Sequence, residues 1–393
     1  SSDLLAANAS EYKTPYEGDV DLVVRGKAWQ AKKYAAGYVG ITWPKALGGQ
    51  GGTPMQQIIF NQEESKYWVP AGIYAIGLGM CIPTVFTHGR PEIIQRYVPV
   101  AMKGEEIWCQ LFSEPAAGSD LAGIRTKAER DGDGWVINGQ KVWTSGAHRA
   151  DYGIIVTRTD PTQPKHKGLT MFIINMRAPG VEVRPIKQMA GASEFNEVFF
   201  TDVRIADDHR LGDVGDGWRV SLTTLMNERL AVGGKPTNSP DAHSLIELAR
   251  AIDAEEGNML EQSHVRQKIA DVYIQDRGIS LTRMRTMSAI SSGRTPGPES
   301  SISKVVVAKL MQDMGSFAGD MAEGAGLLMG DDASSLPHLE ALRQGYFWSA
   351  GLRIAGGTDE ILRNIIAERV LGLPGDIRPD KTVPFNELHK VVS

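Results

Sequence analysis

The pattern of hydrophobic and polar residues changes its period twice along the chain. Over residues 11–102 the apolar residues recur at helical spacing, and over residues 107–203 they alternate with polar residues as in strands. From residue 216 onward, long helical segments return. We therefore predict an α+β, mainly helical protein with an N-terminal helical domain over 1–106, a middle antiparallel β domain over 107–215 and a C-terminal helical bundle over 216–393.

The middle domain is expected to be a small barrel or sandwich. Two glycine-containing segments, 131–134 and Asn138 with Gly139, have the composition of hairpin turns. Strands are expected over 109–113, 135–137, 140–143, 152–158, 169–175, 181–185 and 195–203. In the bundle, helices are expected over 218–232, 241–254, 262–291, 301–328 and 337–354, with a final helix after residue 358 or 359.

Composition narrows the class of protein. The 393 residues are 42% hydrophobic and 23% charged, as in ordinary globular proteins. A net charge of −5, from 42 basic and 47 acidic residues, argues against nucleic acid as a partner. The most apolar segment, 74–86, is too short and too broken by glycine and proline to span a membrane. We therefore expect no membrane span, and we also expect no secretory signal peptide.

Cysteine and histidine usage indicates the compartment and argues against a metal site. Cys81 and Cys109 both lie in apolar surroundings, which favours buried free thiols and a reducing compartment. A bacterial cytoplasmic location is expected, with the mitochondrial matrix as the alternative location. Neither the histidine positions nor the cysteine spacing indicates a metal ion.

Three short blocks carry the candidate chemistry. In the first, 109–120, a strand ends at Glu114 and Pro115 and gives way to small residues, which leaves backbone N–H groups and hydroxyls open to a flat polar ligand. The second block, 141–146, contains Trp143, which alone would be assigned to the core of the β domain. The third, 356–369, begins with two glycines and continues into a helix capped by Thr358 or Asp359.

These three blocks, in this order, resemble the acyl-CoA dehydrogenase family of FAD-dependent flavoproteins, and the resemblance extends over nearly the whole chain. It implies dehydrogenation of an acyl-CoA thioester in fatty acid or steroid side-chain β-oxidation. A carboxylate would take the α-proton while the β-hydrogen leaves as hydride to flavin N5. The electrons would pass to an electron-transfer flavoprotein.

The resemblance also implies the residues of the site. Trp143 would pack on the isoalloxazine ring, and Ser119 would lie where the ribityl chain meets the CoA end of the substrate. FAD contacts are implied for Gln110, Phe112, Ser113, Gly118, Ser119, Trp143, Thr144, Ser145, Thr358 and Glu360. Substrate contacts are implied for Ser119, Arg229, Gly356 and Gly357.

The catalytic base is displaced from its common position in the family. Many members place a glutamate just before a Gly–Thr pair, where this chain has Gly356. A second arrangement, found in the isovaleryl and long-chain branches, places it on the first helix of the C-terminal bundle, where Glu228 matches. Independently, Ser221, Thr224 and Glu228 share one helical face whose opposite side is apolar. A lone glutamate is more often a solvated surface residue, but the vacancy at Gly356 favours Glu228 as the base.

Two further family motifs are missing. An Arg-x-x-Phe-Gly motif is expected near 251–262 to reach the FAD pyrophosphate of a neighbouring subunit, and a Gln-x-x-Gly-Gly-x-Gly motif is replaced at 323–328. Bound FAD would therefore use other contacts or come partly from a different chain. We expect a homodimer, a homotetramer or a heterotetramer with a homologous subunit.

Two alternatives stay open from the sequence. The first keeps the flavin but reoxidises it with oxygen, as acyl-CoA oxidases and flavin oxygenases of the same fold do. The second is a subunit that completes the FAD site of a partner without catalysing the reaction. Glu228 argues against the second, and the two missing motifs argue for some dependence on a partner.

Overall fold

The computed structural model of the chain describes residues 18–67, 69–70, 72–232, 239–254, 257–292, 297–328 and 335–390. The chain divides into two compact units. The first comprises the chain up to Ala231 together with the segment from Asp376 onward, and the second is Val232–Gly375.

The first unit begins with helices. Their bounds are α1 (Asp19–Ala35), α2 (Pro54–Glu64), α3 (Ile82–His88) and α4 (Pro91–Lys103), with a π-helical turn, Gly77–Cys81, leading into α3. Thr53 and Gln56 form a capping box at the start of α2: the side chain of each residue accepts a hydrogen bond from the backbone N–H of the other. Gly104 caps the C-terminal end of α4, and its φ of 80° is the left-handed conformation that glycine adopts readily.

Eight strands among the described residues form a single sheet. They are β1 (Trp108–Leu111), β2 (Lys127–Asp131), β3 (Gly134–Ser145), β4 (Tyr152–Arg158), β5 (Leu169–Asn175), β6 (Val181–Pro185), β7 (Phe195–Ala206) and β8 (Arg210–Leu211). The order is β6-β7-β3-β2-β4-β5-β8, and β1 pairs with β4 beside this path. The predicted succession of helices, strands and helices is confirmed.

The structure corrects two details of the predicted sheet. It is mixed rather than wholly antiparallel, because β1 and β2 both run parallel to β4. The hairpin at 131–134 is confirmed, since Asp131 pairs with Gly134. A hairpin at Asn138 and Gly139 is wrong: both residues lie inside the long strand β3, where the register with β7 shifts. Gly139 has a φ of 150° there and lies so close to Thr126 that a side chain would collide with it, so the glycine marks a bulge.

The two faces of the sheet belong to different hydrophobic cores. Trp108 and Phe112 face a core shared with the N-terminal helices, which also includes Ile154 of β4. Cys109 and Leu111 face the opposite core. The alternation of β1 therefore places Gln110 on the same face as Trp108 and Phe112.

Helix α5 (Gly217–Val232) follows the sheet. Its hydroxyl-bearing residues Ser221 and Thr224 are completely buried, whereas Leu222 and Met226 are 41% and 55% exposed. An ordinary surface helix buries only its apolar side, whereas α5 buries these two hydroxyl-bearing residues together with Val220. The polar face that the sequence indicates therefore lies inside the first unit.

The second unit is the helical bundle. Its helices are α6 (Ala242–Ala251), α7 (Ser263–Ser291), α8 (Ser300–Ala322), α9 (Leu339–Ile354) and α10 (Asp359–Arg369). The expected helix over 301–328 ends early, at Ala322, because Glu323 has a φ of 45° and a 3₁₀ turn, Glu323–Leu327, follows. A buried core including Leu245, Val265 and Met314 holds the bundle together.

The expected burial of the thiols is confirmed, since Cys81 and Cys109 are free and buried. No helix in the described ranges has the length and hydropathy needed to cross a bilayer. Where side chains are described, no group of three or more His, Cys, Asp or Glu residues is placed to hold a metal ion.

Candidate functional site

The end of β1 is tied to β3 by backbone and side-chain bonds. The carbonyl of Ser113 accepts a hydrogen bond from the Val142 N–H at 2.9 Å. The Lys141 ammonium donates to the carbonyl of Phe112, also at 2.9 Å. The first and second candidate blocks, whose bonded residues Phe112 and Lys141 lie 29 positions apart in sequence, thus meet in the folded chain.

A buried ion pair lies directly behind this junction. The Lys141 Nζ is 2.9 Å from the Glu114 carboxylate, and both residues are buried, Lys141 completely. Glu114 also accepts hydrogen bonds from the backbone N–H groups of Arg125 at 2.6 Å and Thr126 at 2.9 Å. The turn after β1 is therefore fixed by a carboxylate with three donors.

Burial and the opposite charge of the partner have opposing effects on the pKa of each residue in this pair. Burial lowers the pKa of Lys141 to about 8, although the Glu114 carboxylate opposes the shift. Burial alone would raise the pKa of Glu114, but the ammonium and the Arg125 N–H outweigh it and hold that pKa below its ordinary value. Sequence alternation gave no sign that Lys141 is buried.

Trp143 lies on an irregular part of β3. The register between β3 and β7 shifts between Lys141 and Thr144, and Trp143 has a φ of 60°, rare for a bulky residue. Its side chain is 58% exposed and meets the edge of the Phe195 ring at a centroid distance of 6.2 Å. Trp143 is therefore not a core residue, the alternative that its position alone would favour, and a large aromatic face is open.

The residues after Trp143 are held by Asn196. Its amide donates to the carbonyl of Thr144 at 2.9 Å and to that of Glu194 at 3.0 Å. Thr144 is buried, and its hydroxyl has no partner among the described residues. Ser145 is half-buried. Asn196, completely buried on β7, positions this segment, and sequence reasoning missed it.

Gly118 and Ser119 lie on the exposed loop after β1. A side chain at Gly118 would meet nothing within 4 Å, so the loop is open above this residue. The next residue, Asp120, bonds the Lys165 ammonium at 2.8 Å.

Lys165 also pairs with Asp380 of the C-terminal segment. That segment is held further by a hydrogen bond of 3.0 Å from the Phe385 N–H to the Gln163 carbonyl. The Arg158 guanidinium lies 3.8 Å from the centre of the Phe385 ring. The C-terminal residues of the first unit thus brace the loop that carries Ser119.

Glu228 lies on α5, half-buried, with its carboxylate 3.4 Å from the Gln110 side-chain amide. One turn earlier, the Thr224 hydroxyl bonds the Thr84 hydroxyl of α3 at 2.8 Å. The structure therefore brings Glu228 next to the strand that carries the first candidate block. The side chain of Arg229 lies outside the described residues.

The third block belongs to the second unit. Gly356 and Gly357 have φ values of 64° and 90°, left-handed conformations that suit glycine. The Thr358 hydroxyl caps α10 by accepting a bond from the Ile361 N–H at 3.2 Å. Glu360 is exposed on the first turn of that helix.

Two basic residues hold this third block in place. The Lys304 ammonium bonds the Gly357 carbonyl at 2.7 Å, and the Arg353 Nε bonds the Asp359 carboxylate at 2.7 Å. Burial lowers the pKa of Lys304, against the opposing effect of Asp359. Sequence reasoning found neither Lys304 nor Arg353, because each lies on a different helix from the residue that it supports.

Family models cover most of the chain. Those for the acyl-CoA dehydrogenase N-terminal, middle and C-terminal domains match residues 6–105, 109–203 and 215–371. The chain is 36% identical to the acyl-CoA dehydrogenase IpdE1 of Mycobacterium tuberculosis over 90% of its own length and 89% of that protein. It is 39% identical to acyl-CoA dehydrogenase FadE34 of the same organism over 84% of its length, but spans only 44% of FadE34.

Solved structures agree with the sequence matches. The Tcur3481-Tcur3483 steroid ACAD superimposes with a TM-score of 0.79 at 26% identity, over 95% of this chain and 98% of the other. The ChsE4-ChsE5 complex from Mycobacterium tuberculosis gives a TM-score of 0.77 at 27% identity, over 95% and 97%. The chain therefore belongs to the acyl-CoA dehydrogenase family of oxidoreductases.

Proposed function

We propose that the chain is an FAD-dependent acyl-CoA dehydrogenase of the branch whose catalytic base lies on the first helix of the C-terminal domain. Glu228 takes the α-proton of the acyl-CoA thioester, and an electron-transfer flavoprotein accepts the electrons. The single observation that carries the proposal is the contact between Glu228 and Gln110, which joins a carboxylate to the strand leading into the flavin-facing loop.

The residues around Trp143 fit a flavin. The indole is largely exposed although its backbone is in a strained conformation, as expected where a large flat ligand stacks on it. The space above Gly118, on the loop after β1, could accommodate the ribityl chain. FAD, when bound, would supply N5 as the acceptor of the β-hydride. Contacts with FAD are proposed for Gln110, Phe112, Ser113, Gly118, Ser119, Trp143, Thr144, Ser145, Thr358 and Glu360.

The same proposal assigns the substrate contacts. Ser119, Arg229, Gly356 and Gly357 bind the thioester and its CoA part. The Gly356 N–H donates to the thioester oxygen and stabilises the charge that develops there as the α-proton leaves. The domain boundaries proposed with it are 1–106, 107–215 and 216–393.

The purified chain should bind FAD and turn yellow. We expect about one FAD bound per chain, measured as flavin absorbance after gel filtration. Trp143→Ala should weaken FAD binding, whereas Trp135→Phe, a conservative change of a buried tryptophan, should leave it intact. Protein that stays colourless with added FAD, alone and after co-expression with a homologous subunit, would contradict the proposal.

The electron acceptor is tested with the reduced protein. After anaerobic bleaching by an acyl-CoA, an electron-transfer flavoprotein should restore the flavin colour much faster than dissolved oxygen does. Faster recovery in oxygen would favour an oxidase or flavin oxygenase of the same fold.

The chain is proposed to assemble with a second subunit. Helix α7 exposes Tyr273, Ile274, Leu281 and Met284, a large apolar area for one surface. The ChsE4-ChsE5 neighbour is described as a complex, which supports either a homodimer or homotetramer or a heterotetramer with a homologous subunit. We expect light scattering to give a mass of at least two chains. A monomer that binds FAD and is bleached by substrate would contradict this.

The acyl group is proposed to be branched, long or ring-bearing. Gly356 has no side chain where many relatives carry a glutamate, and the Tcur3481-Tcur3483 neighbour is described as a steroid ACAD. Lipid β-oxidation in a reducing bacterial cytoplasm is the proposed setting, supported by the mycobacterial relatives and the two free thiols.

A further inference from the structure

Gln110 is a polar residue on an otherwise apolar face of β1. Its neighbours on that face, Trp108 and Phe112, are buried in the apolar core shared with the N-terminal helices. Gln110 is only partly buried, the one residue of β1 that is. A carboxamide in such surroundings is costly unless its polar atoms are bonded. The position therefore calls for a polar partner.

Glu228 provides that partner across 118 residues of sequence, with 3.4 Å between the Gln110 Nε2 and a carboxylate oxygen. Val220 and Leu225, on the same helix, pack in the core that Trp108 and Phe112 share. The helix therefore meets the sheet through apolar contacts, and Gln110 and Glu228 form a polar contact beside them. A contact of this kind fixes where the carboxylate lies.

We propose that Gln110 is a positioning residue for the catalytic base: its side-chain N–H donates to the Glu228 carboxylate and thereby fixes where this carboxylate lies for removal of the proton. This role rests on the proposed function and is additional to the FAD contact proposed for Gln110. A carboxylate can accept this bond and still take up a proton, because its two oxygens offer about four acceptor positions.

Two effects of opposite sign decide how much the loss of the Gln110 amide should change the rate of flavin bleaching. A bond donated to a carboxylate makes it a weaker base, so its loss would by itself favour proton removal. Misplacing a reacting group by about 1 Å, however, costs roughly 10²-fold in rate. Positioning should dominate, and we expect loss of the amide to slow flavin bleaching by about ten- to a hundred-fold.

The test is a double-mutant cycle on the FAD-loaded protein. Gln110→Met keeps the length of the side chain but removes the donor, and Gln110→Asn keeps the amide on a shorter chain. The rate of anaerobic flavin bleaching by an acyl-CoA and the dissociation constant for that acyl-CoA are measured for wild type, both variants, Glu228→Gln and the Gln110→Met/Glu228→Gln pair. The matched control is Gln140→Met, which removes a Gln–Glu contact of 3.0 Å between β3 and β7.

Gln110→Met should lower the bleaching rate without changing the dissociation constant, and Gln110→Asn should recover part of the rate. The Gln110→Met change should have no further effect in the Glu228→Gln background, since the amide acts through the carboxylate. Gln140→Met should bleach as wild type does. Thermal unfolding should show the same coupling of Gln110 with Glu228 without substrate.

Two outcomes separate this inference from the function on which it rests. If Glu228→Gln abolishes bleaching while Gln110→Met bleaches at the wild-type rate, or if the two changes are additive, only the positioning role is overturned. A wild-type flavin that no acyl-CoA bleaches would overturn the proposed function together with this inference.

Discussion

Lys141→Met is expected to lower the free energy of unfolding by about 3–5 kcal/mol, because it leaves the buried Glu114 carboxylate without its counter-charge. Lys141 is completely buried and Glu114 nearly so, so water cannot replace the missing ammonium. The two backbone N–H groups that bond Glu114 offset only part of the loss. Chemical denaturation of the wild type and the variant measures the difference.

The same substitution should weaken FAD binding. Lys141 also bonds the carbonyl of Phe112, so its loss frees the end of the strand that faces the proposed flavin. We expect the FAD dissociation constant to rise about tenfold, as for one hydrogen bond to a charged group. Fluorescence titration with FAD, under conditions where the variant is still folded, gives this value.

A second variant separates charge from packing. Lys141→Met combined with Glu114→Gln removes both charges, and it should recover most of the stability lost by Lys141→Met. Glu182→Gln breaks an ion pair with Arg184 in which both side chains are more than half exposed, and it should leave stability unchanged. If Lys141→Met were as stable as Glu182→Gln, the account of this buried pair would be wrong.

The succession of helices, strands and helices could be predicted because period-two and period-3.6 patterns are local and strong. The detailed pairing could not. Asn138 and Gly139 have the composition of a hairpin turn, but tertiary packing against Thr126 makes Gly139 a bulge inside β3. The parallel pairings of β1 and β2 with β4 are likewise non-local, and no spacing in the sequence indicates them.

The blocks of the candidate site can be predicted from the sequence, but the residues that support them cannot. Glu228 can be proposed from its position in the chain, but its contact with Gln110 joins elements far apart in sequence. Lys141 and Asn196 support the site from inside the sheet. Polar residues of this kind are ordinarily assigned to the surface, and only the fold reveals that they are buried.

Glu228, the proposed displaced base, has the largest expected effect on the reaction rate. Glu228→Gln keeps the size of the side chain and a hydrogen-bonding group next to Gln110, but removes the proton acceptor. A positioned general base typically contributes about 10²–10⁴-fold to a rate. We therefore expect FAD binding and folding to survive in this variant while flavin bleaching by acyl-CoA falls by that factor or more.

Glu197 offers a matched control for this change. Its carboxylate accepts a bond from the Gln140 amide at 3.0 Å, so it is also a glutamate paired with a glutamine, but it lies on β7 and has no part in the proposed chemistry. Glu197→Gln should therefore bleach at the wild-type rate. A loss of rate in both variants would point to a general effect of removing charge.

The most direct test is the single-turnover rate of flavin bleaching, measured for wild type and Glu228→Gln. Each protein is loaded with the same amount of FAD and mixed anaerobically with a panel of acyl-CoA thioesters. The panel includes butyryl-CoA and thioesters with branched, long and ring-bearing acyl chains. We expect rapid bleaching of the wild type by at least one thioester and a rate lower by about 10²–10⁴-fold for Glu228→Gln with that same thioester. Bleaching of Glu228→Gln at nearly the wild-type rate would place the base elsewhere and contradict the mechanism.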